Sequence, residues 1–380
     1  MVRSRADGGT QEIVRVAFDY QVFVQQSYGG ISRYFTRLAQ GLVAAGQHVR
    51  VFAPLHRNNY LTALPKEVVS GRHVSRYAKR TESLVLAYNH FRSGLGIARW
   101  KPDLVHETYY SRFSSDHGSL PIVITVYDMI HELFAEQIPK RDNTAARKRV
   151  AIDRADHVIC ISENTRADLM RLYNVAANKI SVVHLGVDQL ALQKGVAQPA
   201  PSAERPFLLY IGERRGYKNF AGFLKAVSSS HRLLGDFDIV AFGGPRFSKD
   251  ELILIESMGF EDDRVRQQNG DDSLLGALYQ SARALVYPSL YEGFGIPPLE
   301  AMAHQCPVIS SNASSMPEIV AGAGEYFDPK DVDQMRHSIE SVVYSDNRIA
   351  ELRRAGCERI KAFSWERCTS ETLKIYKTLL

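Results

Sequence analysis

The chain has 380 residues, 45% of them hydrophobic and 23% charged, so it exceeds one ordinary core, suits two globular halves and shows no bias toward disorder. Its net charge of +5 is uneven: residues 1–190 hold 25 Lys and Arg against 17 Asp and Glu, or +8, and the remainder 22 against 25, or −3. Apolar runs such as 121–127 and 284–288 fall far short of the roughly 20 residues that a membrane-spanning helix needs, so no bilayer crossing is expected.

Residues 1–12 are polar, carry Gly8-Gly9 and lack the apolar core and small-residue cleavage site of a signal peptide, which predicts a flexible tail. Short β-branched runs at 14–18, 48–52, 104–106, 122–126 and 158–161 then alternate with amphipathic stretches, the pattern of a parallel sheet with helical crossovers. After the first run, Tyr28-Gly29-Gly30-Ile31-Ser32-Arg33-Tyr34 leads into a helix expected over 31–45, and Gly29 and Gly30 allow backbone to approach a ligand.

Much of the basic excess lies between residues 50 and 112, where Arg72, Arg76, Lys79, Arg80, Arg92, Arg99 and Lys101 interleave with Tyr77, Tyr88, Phe91 and Trp100. Two readings stand: a solvated helical face, or attraction to an anionic membrane or a phosphate-bearing acceptor. Asp128 closes the apolar run 122–127, at the strand end that faces the crevice in open α/β sheets, and is a candidate for ligand work. His131, just beyond, reads as a solvated or hydrogen-bonded loop side chain rather than a base. Ser162 is placed to cap a helix that carries Arg166.

A Pro- and Ala-rich stretch short of β-branched residues predicts a linker over 190–205, between a domain over 13–189 and a second over 206–363. Strand runs at 207–211, 237–242, 264–267, 284–287 and 307–310 repeat the earlier pattern, so the expected architecture is α/β, two doubly wound Rossmann-like domains. No fixed repeat of solenoid or propeller length is visible. Tyr210-Ile-Gly212-Glu-Arg214-Arg215-Gly216-Tyr-Lys218-Asn219-Phe220 is a strand, a basic turn suited to an anion, and a helix start, the helix expected over 220–234. An arginine fork and a lysine point charge together suit a diphosphate leaving group, and Arg214 and Lys218 are preferred to Arg215.

The densest motif is Glu292-Gly293-Phe294-Gly295-Ile-Pro297-Pro298-Leu-Glu300. Its glycines and prolines oppose one helix through both acids, so Glu292 is expected on a loop and Glu300 in the first turn of a helix starting near Pro297. The free amides and positive end of that helix would face a phosphate or a sugar hydroxyl in front of the loop. Cys160, Cys306, Cys357 and Cys368 are scattered without metal-ligand spacing and read as reduced cysteines of a cytoplasmic protein. Asp262-Asp263 and Asp271-Asp272 lie in polar turns, and no Asp-x-Asp stands where it would hold a catalytic cation; no metal site is expected.

Assembled, these motifs resemble the family-4 retaining glycosyltransferases of the GT-B fold over residues 14–380. Glu292 to Glu300 is similar to that family's Glu-x7-Glu signature, continued by Glu300-Ala-Met-Ala-His-Gln-Cys-Pro-Val-Ile-Ser310 and Met316-Pro-Glu-Ile, with further matches at Gly212 to Asn219, Val182-Val-His-Leu-Gly-Val-Asp188 and Tyr28 to Tyr34. The resemblance implies two domains facing a cleft, the first receiving the acceptor and the second the donor, with a last helix over 364–380 crossing back to the first. It also implies Glu300 on the ribose hydroxyls, Glu292 and the amides of Gly293, Phe294 and Gly295 against the donor sugar, and Arg214 and Lys218 on the diphosphate. Gly30, with Gly29, would lie across the cleft, and Gly212 at the basic turn. Where many members have His-Asp after the fifth strand this chain has Tyr127-Asp128, so Asp128 is carried over and the histidine role is not.

The implied activity is metal-independent, retaining transfer of a hexose, mannose first, from a nucleotide-diphosphate sugar to a saccharide or polyprenyl-diphosphate-linked acceptor in surface-polysaccharide synthesis. GDP-mannose is the favoured donor and a UDP-sugar the other. No separate cofactor and no nucleic-acid partner are expected; the basic first half would touch the inner face of the membrane peripherally. A nucleotide-sugar 2-epimerase on the same fold and a non-catalytic sugar-binding module are the alternatives. A dinucleotide oxidoreductase is discounted, because Tyr20-Gln-Val-Phe-Val-Gln-Gln-Ser-Tyr-Gly-Gly, and not GxGxxG, follows the first strand.

Overall fold

The computed structural model of the protein describes residues 13–78, 80–113, 118–188, 205–214 and 216–380. The expected tail over 1–12, all but Arg205 of the expected linker, Lys79 and Arg215 lie outside them.

In the first half, β1 (Arg15–Phe18), β2 (His48–His56), β3 (Val69–His73), β4 (Leu104–Glu107), β5 (Ile122–Val126), β6 (His157–Cys160) and β7 (Ile180–Val182) form a parallel sheet in the order β3-β2-β1-β4-β5-β6-β7. In the second, β8 (Phe207–Ile211), β9 (Asp238–Phe242), β10 (Val265–Gln268), β11 (Ala284–Tyr287), β12 (Val308–Ser311) and β13 (Gly324–Phe327) form another, in the order β10-β9-β8-β11-β12-β13. Central strands such as β5, β8 and β9 are buried along their whole length, which is why they read as unbroken apolar runs: helices cover both faces of a parallel sheet.

Strand order reverses between β1 and β4 in one sheet and between β8 and β11 in the other. At such a reversal the connecting helices leave to opposite faces and open a crevice beyond the strand ends. The loops after β8 and β11 carry Lys218 and Glu292, and those after β1 and β4 carry Tyr20 and Tyr110. Topology thus places the chemistry-bearing loops at the two crevices.

Beneath the first crevice, the helix Gly30–Ala44 buries Tyr34, Phe35, Leu38 and Leu42, each apolar side chain stabilising by about 1.5–3 kcal/mol. The helix Trp365–Thr378, capped by Ser364, returns to this half: Tyr376 reaches His106 of β4 (2.6 Å), and Thr369 packs where a β-carbon on Gly41 would stand. His106 also meets Thr125 (2.9 Å), and burial pulls its pKa down to about 3, so the ring is neutral.

Three strands were not expected from the sequence, β3, β7 and β13. The helix expected over 220–234 is instead two, Phe220–Ser228 and His231–Asp236. The break falls where Ser230 accepts the N–H of Leu233 (3.2 Å) and so starts a new helix. Among the described residues no helix is long and apolar enough to cross a membrane.

Candidate functional site

The loop after β11 is held from both halves. Within its own half, the N–H of Glu292 donates to Ser314 Oγ (2.9 Å), and Ser315 Oγ lies 2.9 and 2.8 Å from the carbonyls of Glu292 and Phe294. From the first half, Ser162 Oγ donates to the carbonyl of Gly293 (2.7 Å) while accepting the N–H of Thr165 (3.0 Å) as a helix cap. Gly293 abuts the first half so closely that a β-carbon there would run into the carbonyl oxygen of Tyr127 and stand 2.9 Å from Asp128 Cβ. Gly295 has φ 111°, which only glycine adopts cheaply, and it turns the chain into the helix Ile296–Ala303.

Glu292 is 7% exposed and takes Lys218 Nζ at 2.7 Å. Lys218 ends the turn Gly216–Lys218, and Asn219, at φ 55°, fixes that turn by donating to the carbonyls of Pro288 (3.1 Å) and Pro329 (2.7 Å). Burial draws the Lys218 pKa down, but the Glu292 carboxylate outweighs it and the net shift is upward, so the ammonium stays charged. Gln137 of the first half accepts the N–H of Tyr217 (3.0 Å), so this turn also bridges the cleft.

Arg214, in the same loop after β8, is held by its own half. Its guanidinium donates to Glu251 (2.6 Å) and to the carbonyls of Gly243 (3.3 Å) and Pro245 (2.6 Å), lies 4.6 Å over the Phe247 ring, and leaves its side chain 2% exposed. Those contacts pin the ends of β8 and β9 together, and the structure does not join Arg214 to the Lys218–Glu292 pair. Gly212, at φ 122°, starts the same turn with its N–H on the carbonyl of Phe242 (2.9 Å).

Glu300 stands in the second turn of Ile296–Ala303, not the first, because the helix begins at Ile296. Tyr279 OH donates to it (3.3 Å), and Arg33 from across the cleft lies 3.6 Å away. Burial raises its pKa above the usual glutamate range, against the opposing pull of Arg33 and Tyr279. Arg33 also binds Asp188 (2.6 Å), which takes Arg37 (2.8 Å) and the Trp365 indole (3.0 Å).

Asp128 follows β5, where its carboxylate accepts the N–H of Ile130 (3.0 Å). Beneath it Lys148, 1% exposed, donates to the Asp128 carbonyl (2.8 Å) and to Glu132 (2.9 Å), whose other oxygen takes Tyr173 OH (2.6 Å). His131 lies in the short helix Ile130–Leu133 and not on a loop, 3.8 Å from Asp142. At Gly29 a β-carbon would strike Gln26, whereas at Gly30 the space is open and faces Arg33 and Glu300.

Sequence reasoning named no role for Arg33 or Glu318, though both stand in quoted motifs, and it missed Lys148. Glu318 accepts the N–H groups of Glu163 (2.9 Å) and Asn164 (3.3 Å) and takes His184 Nε2 (2.6 Å), tying the second half to the first. Lys148 gave no signal: in Arg147-Lys148-Arg149 it reads as a solvated basic run.

Two doubly wound parallel sheets whose strand-end loops meet across one cleft define the GT-B architecture. The chain belongs to the glycosyltransferases: residues 28–189 match the Glycosyltransferase Family 4 model and residues 194–359 that of Glycosyl transferases group 1. It is 29% identical over 375 residues to O-antigen chain mannosyltransferase B of Escherichia coli, covering 92% of this chain and 96% of that protein. It is 26% identical over 234 residues to the O-antigen chain mannosyltransferase RfbU of Salmonella typhimurium, covering 60% and 63%. Its fold is similar to sucrose-phosphate synthase from Thermosynechococcus elongatus (TM-score 0.74, 20% identity, 96% and 99% covered) and to Anabaena Alr3699/HepE in complex with UDP and glucose (0.71, 15%, 96% and 100%).

Proposed function

We propose that this glycosyltransferase moves a hexose, mannose first, from a nucleotide-diphosphate sugar to a saccharide or polyprenyl-diphosphate-linked acceptor, with retention and without a metal. The observation that carries the reading is the Lys218–Glu292 pair at the second crevice, with Gly293 lodged against Asp128 of the first half. Donor-side and acceptor-side groups then share one small volume. Mannose rests on the likeness to O-antigen chain mannosyltransferase B and a nucleoside diphosphate on that to HepE, solved with UDP; GDP-mannose is the donor we favour.

Glu300 would accept the ribose hydroxyls, and Glu292 with the amides of Gly293, Phe294 and Gly295 would hold the sugar. With Arg214 engaged by Glu251, the growing diphosphate charge falls to Lys218 and to the helix N-termini after Gly29-Gly30 and Gly295. No side chain stands out as a nucleophile, so the acceptor oxygen would attack on the leaving-group face of an oxocarbenium-like ion pair, its proton passing to the departing phosphate. Asp128 would orient the acceptor.

At the first crevice a cavity of about 440 Å³ is lined by Tyr20, His90, Tyr110, Arg112, Asn143 and Arg147, and Tyr110 OH accepts the N–H of Tyr127 (3.3 Å), next to Asp128. An acceptor pocket there favours transfer over 2-epimerisation, which needs none. Beside it the helix Glu82–Trp100 exposes Leu84, Tyr88, Phe91 and Leu95 in one stripe near Arg80, Arg92 and Arg99, which suits peripheral contact with an anionic membrane on the cytoplasmic side.

The test is titration with GDP, UDP and dTDP, repeated with Glu300→Ala, followed by transfer assays whose product anomer is read by NMR. Equal weak binding of all three, indifferent to Glu300, would overturn the donor site; loss of transfer in excess chelator would overturn metal independence.

A further inference from the structure

The contact between Arg33 and Glu300 sets two claims on one carboxylate. Arg33 lies in the helix Gly30–Ala44, and its guanidinium reaches across the cleft to within 3.6 Å of Glu300. Around them, Gly30, Leu185, Asp188, Ile296 and Trp365 close a gap of about 20 Å³. That is room for roughly one water, whereas small-ligand pockets run to roughly 300–1,000 Å³. A ribose can reach Glu300 only if Arg33 gives way.

Arg33 is built to give way without leaving. One of its nitrogens is on Asp188 Oδ2 at 2.6 Å, a true hydrogen bond, while the Glu300 contact at 3.6 Å is an ion pair too long to be one. Asp188 is anchored independently by Arg37 and Trp365, so it remains a fixed pivot when Arg33 turns. Helical side chains lean toward the helix N-terminus, and here that end is Gly29-Gly30, where a β-carbon at 30 would meet nothing within 4 Å. The reach of the guanidinium therefore includes the space in front of those amides, where a phosphate is favoured.

Resting on the reading of Glu300 as the ribose-binding carboxylate, we propose that Arg33 is a further donor-site residue. It competes with ribose for Glu300, and, once displaced, pivots on Asp188 to donate to a phosphate oxygen of the same ligand. With Arg214 committed to Glu251, the exchange adds a second cationic side chain on the diphosphate beside Lys218. It also makes a nucleoside and its diphosphate respond oppositely to Arg33, because only the second repays the lost Glu300 contact.

The experiment measures two ligands on the full chain: whichever of GDP, UDP and dTDP binds wild type best, and its parent nucleoside. In Arg33→Gln the diphosphate should bind about tenfold more weakly, the loss of one charge-assisted hydrogen bond, while the nucleoside binds as well as before or more tightly. Arg33→Lys should recover part of the diphosphate affinity. Equal losses for both ligands would reduce Arg33 to a part of the fold and overturn the proposal, as would an unchanged diphosphate affinity. Binding indifferent to Glu300→Ala would instead withdraw the ribose reading and the proposal with it, a different and separable result. Arg33→Ala, with its melting temperature recorded, guards against misfolding of any one variant.

Discussion

Gly293 and Tyr127 meet across the cleft with no room for a side chain: the carbonyl oxygen of Tyr127 occupies the place of a Gly293 β-carbon. The backbone at 293 is not in the left-handed region, so alanine is forbidden there by the neighbouring half and not by its own conformation. Gly293→Ala should leave each half folded, by far-UV circular dichroism, yet lower kcat/KM by about 100-fold as the loop is held off Asp128. Near-normal turnover in that variant would show that the contact is not needed for transfer.

Lys218 and Arg214 should separate in their effects. Lys218→Ala leaves Glu292 buried without its cation, which should cost about 2–3 kcal/mol in urea unfolding and weaken nucleoside-diphosphate binding at least tenfold. Arg214→Lys loses the fork that ties Glu251 to two carbonyls, and should lower stability by about 1–2 kcal/mol with a smaller change in nucleotide affinity. The reverse ranking in calorimetric titration would return the diphosphate role to Arg214.

Acid should act on Glu300 early. Its folded pKa is raised by burial above the ordinary 4.5, so its contribution to stability is whole below 4.5 and lost as pH rises through the folded value. Glu300→Gln should therefore melt higher than wild type at neutral pH, with the gap closing as pH falls toward 4.5. Wild-type nucleotide affinity, which needs the ionised form, should weaken in acid at a higher pH than an ordinary glutamate dictates. A constant melting gap across that window would contradict the shift.

Glu318 carries the opposite sign. Although burial alone would raise it, the hydrogen bonds from His184, Glu163 and Asn164 depress its pKa, so its stabilisation is present above about 4.5 and lost as pH falls through the lower folded value. Glu318→Ala should cost about 1–3 kcal/mol and loosen the two halves, seen as a larger radius of gyration in small-angle scattering. An unchanged radius would mean that the other cross-cleft contacts suffice.

Which elements were legible in the sequence follows from how each is buried. β5, β8 and β9 are covered on both faces and announce themselves as apolar runs, whereas β3, an edge strand with Ser70, Gly71, Arg72 and His73 exposed, has no pattern to read. β7 is three residues long, and β13 opens on a glycine. Ser229-Ser230 inside 220–234 was a stop signal hidden by an amphipathic pattern that continues past it.

At the site, short-range grammar was readable: the loop acid, the glycine turn into a helix and the Ser162 cap all depend on neighbours within a few residues. The contacts of Arg214 were not legible because its partners, Glu251 and the carbonyls of Gly243 and Pro245, lie about thirty residues away and only the sheet brings them near. Lys148, Arg33 and Glu318 share that origin. Their partners come from other elements or the other half, which no local spacing encodes.

The returning helix Trp365–Thr378 gives the molecule an order of completion. The half built from the earlier part of the chain keeps Tyr34, Gly41 and His106 uncovered until Trp365, Thr369 and Tyr376 have been synthesised, because those late residues supply its missing wall. On the ribosome the second half can close around its own sheet while the first still waits, so the first half is sealed only after the second has been made.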